Sequence, residues 1–286
     1  MAFKFGLTNI FFQGNKISFD LAGYSNVLVC RISKSGIAEA RWKNVITADL
    51  YVEGAEDDQV QVKKHAQVIA TLLSFALDSH CCLTSMQEIG NDYSTRNLPS
   101  RGSFIQLNPV IDADDSDALK VFLSTSYSGY NELHETRSLN VVIELFNLAE
   151  NNEQPIELRL ATIFILLENL KATYATQKKY HRDNATYYKT LKDKGNRKKG
   201  LGFKKILREM FSCIGMKGET LSDLNSVVIL RNDIIHTALS EKLFDEQYKI
   251  YTDCRNLIAE YILRLLSFKG SFNLYNGKGI KKKTIE

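Results

Sequence analysis

Proline is scarce, with three in 286 residues, so few points in the chain force a helix to stop and a disordered Pro-rich composition is excluded. No apolar run reaches the roughly 18 to 20 residues that a bilayer requires. The opening "MAFKFGLTNIFFQG" lacks the layout of a secretory leader, so a cytosolic chain with no membrane partner is expected. The five cysteines, Cys30, Cys81, Cys82, Cys213 and Cys254, are odd in number and lack paired CxxC spacing. They read as reduced thiols, with Cys81 and Cys82 as small core residues near a helix end. There is no phosphate-binding loop, zinc signature or nucleophile elbow, and the expectation is of no metal and no cofactor. The acidic "IDADDSDALKVFL" lacks the glycine and closing glutamate of a calcium loop and reads as a solvated helix start.

What is present is an ordinary globular composition, 44% hydrophobic and 24% charged, with enough length for two domains. The net charge of +4 is unevenly spread. Residues 1–130 hold 11 Lys+Arg against 14 Asp+Glu, and residues 131–286 hold 26 against 19. The second half is therefore the candidate for a polyanionic partner.

Periodicity changes along with charge. "KISFDLAGY", "NVLVCRIS" and "VITADLYVE" read as strands punctuated by glycine, followed by a helix in "DQVQVKKHAQVIATLLSFALDSH". A second strand set is expected around "CCLTSMQEIG" and "GSFIQLNP". From about Arg137 the pattern is helical: "RSLNVVIELFNLAEN", then "PIELRLATIFILLENLKATYATQ" behind Pro155, then "FKKILREMFSCIG", "ETLSDLNSVVILRNDIIHTAL" and "KLFDEQYKIYTDCRNLIAEYILRLLSF". The segment behind Pro155 is apolar around most of its circumference and should be central. The expected architecture is an α+β N-terminal domain over 1–128, an all-α helical bundle over 129–272, and a basic flexible tail over 273–286.

Within the fourth of these helices, Arg231, Asn232, Asp233 and His236 form a polar island. Residues five apart on a regular helix diverge by about 140°. Arg231 and His236 therefore do not share a face unless the helix breaks or a partner chain supplies one of them, whereas Asn232 and His236, four apart, do. With 12 arginines and 5 histidines, an Arg followed after four to six residues by His arises by chance roughly 0.6 times in such a chain. The structural alternative is an arginine that snorkels from a buried helix and a histidine favoured by the helix C-terminal dipole.

In context, "LRNDIIH" resembles the Arg-x(4–6)-His signature of the HEPN superfamily. "LRLATIFILLENLKATY" is similar to the first long helix of its abortive-infection and Apea-like members. The resemblance covers roughly residues 130–270. It implies a metal-independent endoribonuclease of a prokaryotic antiviral-defence or toxin system, acting as a homodimer with a composite site. It also leaves room for an antitoxin or a phage-derived trigger protein as partner. The residue types suit that chemistry: His236 can take a proton from a ribose 2′-hydroxyl and return one to the leaving 5′-oxygen, Arg231 can clamp the phosphate, and Asn232 can orient either. Asp233 and Glu168 are supporting candidates. Glu168 either pairs with Arg231 across the bundle or stands as a partly exposed carboxylate on a helix rim.

Between Lys178 and Arg208 lie 12 Lys+Arg against two acids, with Tyr180, Tyr187, Tyr188 and Phe203 among them. Lys178, Lys179, Arg182, Arg197, Lys198, Lys199, Lys204 and Lys205 are the candidate RNA contacts, with the aromatic rings available to stack on unpaired bases. A solvated lysine-rich connection would have the same composition. The rival function is a non-catalytic HEPN-like module that dimerises or binds RNA or protein. A nucleotide-transfer site would need a magnesium-holding carboxylate pair, and none is evident.

Overall fold

The computed structural model describes residues 1–40, 45–54, 58–90, 94–96, 108–184, 186–196, 198–216, 224–237, 241–276 and 279–286. The chain forms two compact units. The first comprises Met1–Asn131 with Leu266–Tyr275 and Ile280–Glu286, and the second comprises Glu132–Leu265 with Asn276–Gly279. The architecture is mixed α/β, and among the described residues no helix is long and apolar enough to cross a membrane.

The first unit is built on a six-stranded antiparallel sheet of β1 (Ala2–Thr8), β2 (Lys16–Leu21), β3 (Tyr24–Cys30), β4 (Ile46–Glu53), β5 (Cys82–Glu88) and β6 (Ser94–Arg96). Their order is β2-β3-β4-β1-β5-β6. The N-terminal run, weighed from sequence only as a leader, is in fact an inner strand, hydrogen-bonded to β4 on one side and β5 on the other. Phe3, Phe5 and Leu7 alternate onto one face beside Val52, Leu50 and Ala48. A β-carbon on Gly6 would lie 2.5 Å from Ser85 Oγ and 2.7 Å from Ile46 Cδ1, so any larger residue here would have to displace both side chains. The opposite face is polar: Asp49 accepts two 2.6 Å bonds from Arg31, and Lys4 lies 3.5 Å away.

After the short α1 (Ile37–Ala40), the long α2 (Gln59–Ala76) packs on the apolar sheet face. Asp58 caps it by accepting from the Val60 amide at 2.9 Å. Val62, Ile69, Leu72, Leu73 and Phe75 are buried, and each such side chain contributes ~1.5–3 kcal/mol of hydrophobic stabilisation. Phe122 of α3 (Ser116–Leu133) meets Phe75 with ring centroids 6.1 Å apart. The expected strand at 102–109 lies largely outside the described residues.

The tail expected to be flexible at 273–286 instead carries strands in its described residues. Strands β9 (Gly270–Tyr275) and β10 (Ile280–Ile285) form an antiparallel hairpin in the first unit. Its lysines hide two apolar anchors, Phe272 and Ile285, both buried. Asn273 donates to Pro109 O at 2.9 Å and its amide to Val110 O at 2.8 Å, while Lys282 reaches Asp112 at 2.7 Å. Asp112 is held below the usual carboxylate range by the Lys282 hydrogen bond.

The second unit contains α4 (Leu139–Ala149), α5 (Ile156–Gln177), α6 (Phe203–Ser212), α7 (Leu224–Thr237) and α8 (Phe244–Leu265). α5 packs against α4, α6, α7 and α8, which is why apolar residues occupy most of its circumference. The unit is not purely helical. The basic segment, expected as a loop, carries the hairpin β7 (His181–Asp183) and β8 (Thr186–Tyr188). Two buried cations brace the helices. Arg137 donates to Leu170 O at 3.2 Å and Tyr261 Oη at 2.7 Å, and Arg255 donates to Glu150 at 3.0 Å.

Candidate functional site

α7 runs without interruption from Leu224 to Thr237, so the backbone does not break between Arg231 and His236. The two positions therefore diverge by about 140° within one chain. Arg231 is about one quarter exposed, and its guanidinium leans towards α5. Nη2 donates to Glu168 Oε1 at 2.7 Å, and Nη1 donates to Asn232 Oδ1 at 2.9 Å. Beneath it lies the Phe203 ring, 5.0 Å from Cζ to the ring centroid. Asn232 and Asp233 are exposed, and the side chain of His236 lies outside the described residues.

Glu168 is one third exposed and uses both oxygens. Its second oxygen holds Lys171, three residues along α5. Lys171 is buried, with its ammonium 5.2 Å from the Phe203 centroid and 5.8 Å from that of Tyr187. Two cations thus share one carboxylate over one aromatic ring. Sequence reasoning named Arg231, Asn232 and Glu168 but missed Lys171 and the cradling role of Phe203. The Glu-to-Lys spacing of three in "ENLK", one turn of helix, was the available signal for Lys171.

An open groove beside this cluster is lined by Gly200, Gly202, Phe203, Lys205, Asn225 and Ile229. Lys204 lines it as well and hydrogen-bonds Asn225 of α7, while Lys205 donates to Gly200 O at 3.1 Å. Lys178, Lys179 and Arg182 sit at the other end of the basic segment, next to the C-terminus of α5. All three are exposed; the Lys178 ammonium is 5.7 Å from the Tyr174 ring centroid, and Arg182 is tied to Asn184 O at 2.8 Å. Lys198 and Lys199 are exposed, and Lys199 pairs with Asp193 at 2.5 Å. Arg197 lies outside the described residues.

The aromatic part of the expected RNA surface needs correction. Tyr187 and Tyr188 are buried. Tyr187 also closes the segment by exchanging backbone bonds with Leu201 at 3.1 and 2.8 Å. Their rings support the hairpin, whose exposed side is mostly charged. Tyr180 is hydrogen-bonded to Glu209, which also pairs with Lys189 at 2.9 Å.

The helices that carry the Arg231–Glu168 pair also expose large apolar side chains. Ile229 (57% exposed) and Ile235 (45%) lie on α7, and Leu158 (50%) and Ile165 (51%) on α5. Among the described residues no group of three metal-ligating side chains converges. The chain matches no family model, no curated protein and no solved structure.

Proposed function

We propose that this protein is a metal-independent endoribonuclease whose second unit is a HEPN-like helical bundle and whose active site is completed by a second copy of the chain. The observation that carries the reading is the placement of Arg231. It sits at the surface of an unbroken helix that continues to His236, with polar Asn232 between them and exposed isoleucines on either side. An unbroken helix cannot bring Arg231 and His236 of one chain to one phosphate, but two antiparallel copies of α7 can place one chain's arginine beside the other's histidine.

In the proposed reaction His236 takes the proton from the ribose 2′-hydroxyl, and the oxygen attacks phosphorus. The P–O5′ bond breaks, and the 5′-oxygen receives a proton from the imidazolium, leaving 2′,3′-cyclic phosphate and 5′-hydroxyl ends. Arg231 offers planar donors to the phosphate as its charge grows. Lys204 and Lys205 at the groove, with Lys178, Lys179, Arg182, Lys198 and Lys199 further along, supply a salt-sensitive attraction for the strand. The setting we infer is a prokaryotic antiviral-defence or toxin system in the cytoplasm, with the first unit sensing or restraining the second.

Purified protein is expected to cut RNA in EDTA, leave DNA intact and have the solution mass of a dimer. Folded Arg231→Ala and His236→Ala variants should lose at least ~100-fold in rate. Undiminished cutting by either variant refutes the assignment. A second reading, a non-catalytic RNA-binding or dimerisation module, is favoured by the fact that both terminal nitrogens of Arg231 already have partners. RNA binding without cyclic-phosphate ends would select it.

A further inference from the structure

We propose that the Glu168 carboxylate is an internal stand-in for phosphate, so that RNA engages Arg231 only by displacing Glu168 from the guanidinium. This rests on the reading of Arg231 as the phosphate clamp and adds a brake to it.

Carboxylate and phosphate oxygens compete for the same guanidinium donors. In the structure one of those donors is committed to Glu168 at 2.7 Å and another to Asn232 at 2.9 Å. The pair lies at the protein surface, with Glu168 one third and Arg231 one quarter exposed, so an arriving phosphate has direct access to it. A partly exposed pair of this kind is weak enough to be exchanged.

Lys171 makes the exchange feasible. Buried beside Phe203, it holds the second oxygen of Glu168 from within the same helix. When Arg231 leaves, Glu168 keeps Lys171 and Lys171 keeps its counter-ion, so neither charge is stranded. With two cations and one carboxylate, the cluster also carries an excess positive charge that an incoming phosphate neutralises. The Phe203 ring supports the guanidinium in either state.

The test measures affinity on the full chain with two probes: a short 2′-O-methyl RNA, which has no nucleophilic 2′-hydroxyl, and inorganic phosphate followed by thermal shift. Two variants are used, Glu168→Gln and the double variant Glu168→Gln with Lys171→Met. The second avoids leaving Lys171 buried without its carboxylate. Both should bind the oligonucleotide about three- to tenfold more tightly than the unmodified protein, the scale of releasing one partly exposed ion pair. Adding Arg231→Ala should abolish the gain. Unchanged or weaker affinity for both probes in folded variants overturns the proposal, as does a fall in melting temperature as the only effect. If the variants gain affinity for phosphate while no form of the protein binds RNA, the brake stands and the ribonuclease reading fails.

Discussion

His65 offers a quantitative test of the first unit, because its burial favours the neutral imidazole. It is 3% exposed on α2, against the sheet. Asn26 donates its amide to Tyr24 O at 3.0 Å, so its carbonyl oxygen accepts from His65 Nε2–H at 2.9 Å. Nδ1 lies 2.6 Å from the Tyr127 hydroxyl, which donates to it in the neutral imidazole. Burial lowers the His65 pKa from 6.5 to about 4.

Between those values the unfolded chain binds a proton that the folded chain refuses, so stability falls as pH falls. Above pH 6.5 there is no penalty, and by pH 4 the loss approaches ~3 kcal/mol at 1.36 kcal/mol per unit. His65→Gln preserves a donor and an acceptor but cannot titrate. Urea unfolding of both proteins from pH 7 to pH 4, read by hydrogen exchange on α2 peptides, separates the effect of His65 from that of the carboxylates the two share. The stability difference between unmodified protein and variant should shift by ~3 kcal/mol in the variant's favour on acidification. Parallel pH profiles would refute the argument.

Two further outcomes follow from packing. Gly129→Ala lies inside α3, where alanine would ordinarily add about 1 kcal/mol of helix stability, yet its β-carbon would meet Leu266 O at 2.8 Å. Denaturant titration should therefore show a net loss of ~1–3 kcal/mol, and a stabilised variant would contradict the contact. Glu150→Gln removes the carboxylate that accepts from buried Arg255 at 3.0 Å and from Tyr251. Urea unfolding of the second unit should show a loss of ~3–5 kcal/mol, and a loss below ~1 kcal/mol would mean that Arg255 does not depend on that charge.

The local period of the chain made much of the fold legible. Alternation in "KISFDL" and "ITADLYV" marked β2 and β4, and Pro155 followed by apolar residues on every side marked α5 as central, because each signal is set by neighbours within a few residues. β1 was not legible. "AFKFGLT" gains its meaning from β4 and β5, whose partner residues are about 40 to 85 positions away. The terminal hairpin was hidden in the same way, since Phe272 and Ile285 find their burial in a unit begun at the other end of the chain.

At the site, the amino-acid sequence alone determined the polar island, its helical setting and the divergence of Arg231 from His236. Only the tertiary structure decided what Arg231 touches. Glu168 lies 63 residues away, and Lys171 and Phe203 enter the cluster because α5, α6 and α7 pack against one another. It also decided that Tyr187 and Tyr188, which read from sequence as bases' stacking partners, are buried supports. Helical phase is a local property, but the partner of a charge and the exposure of a ring depend on which distant segments fold against them.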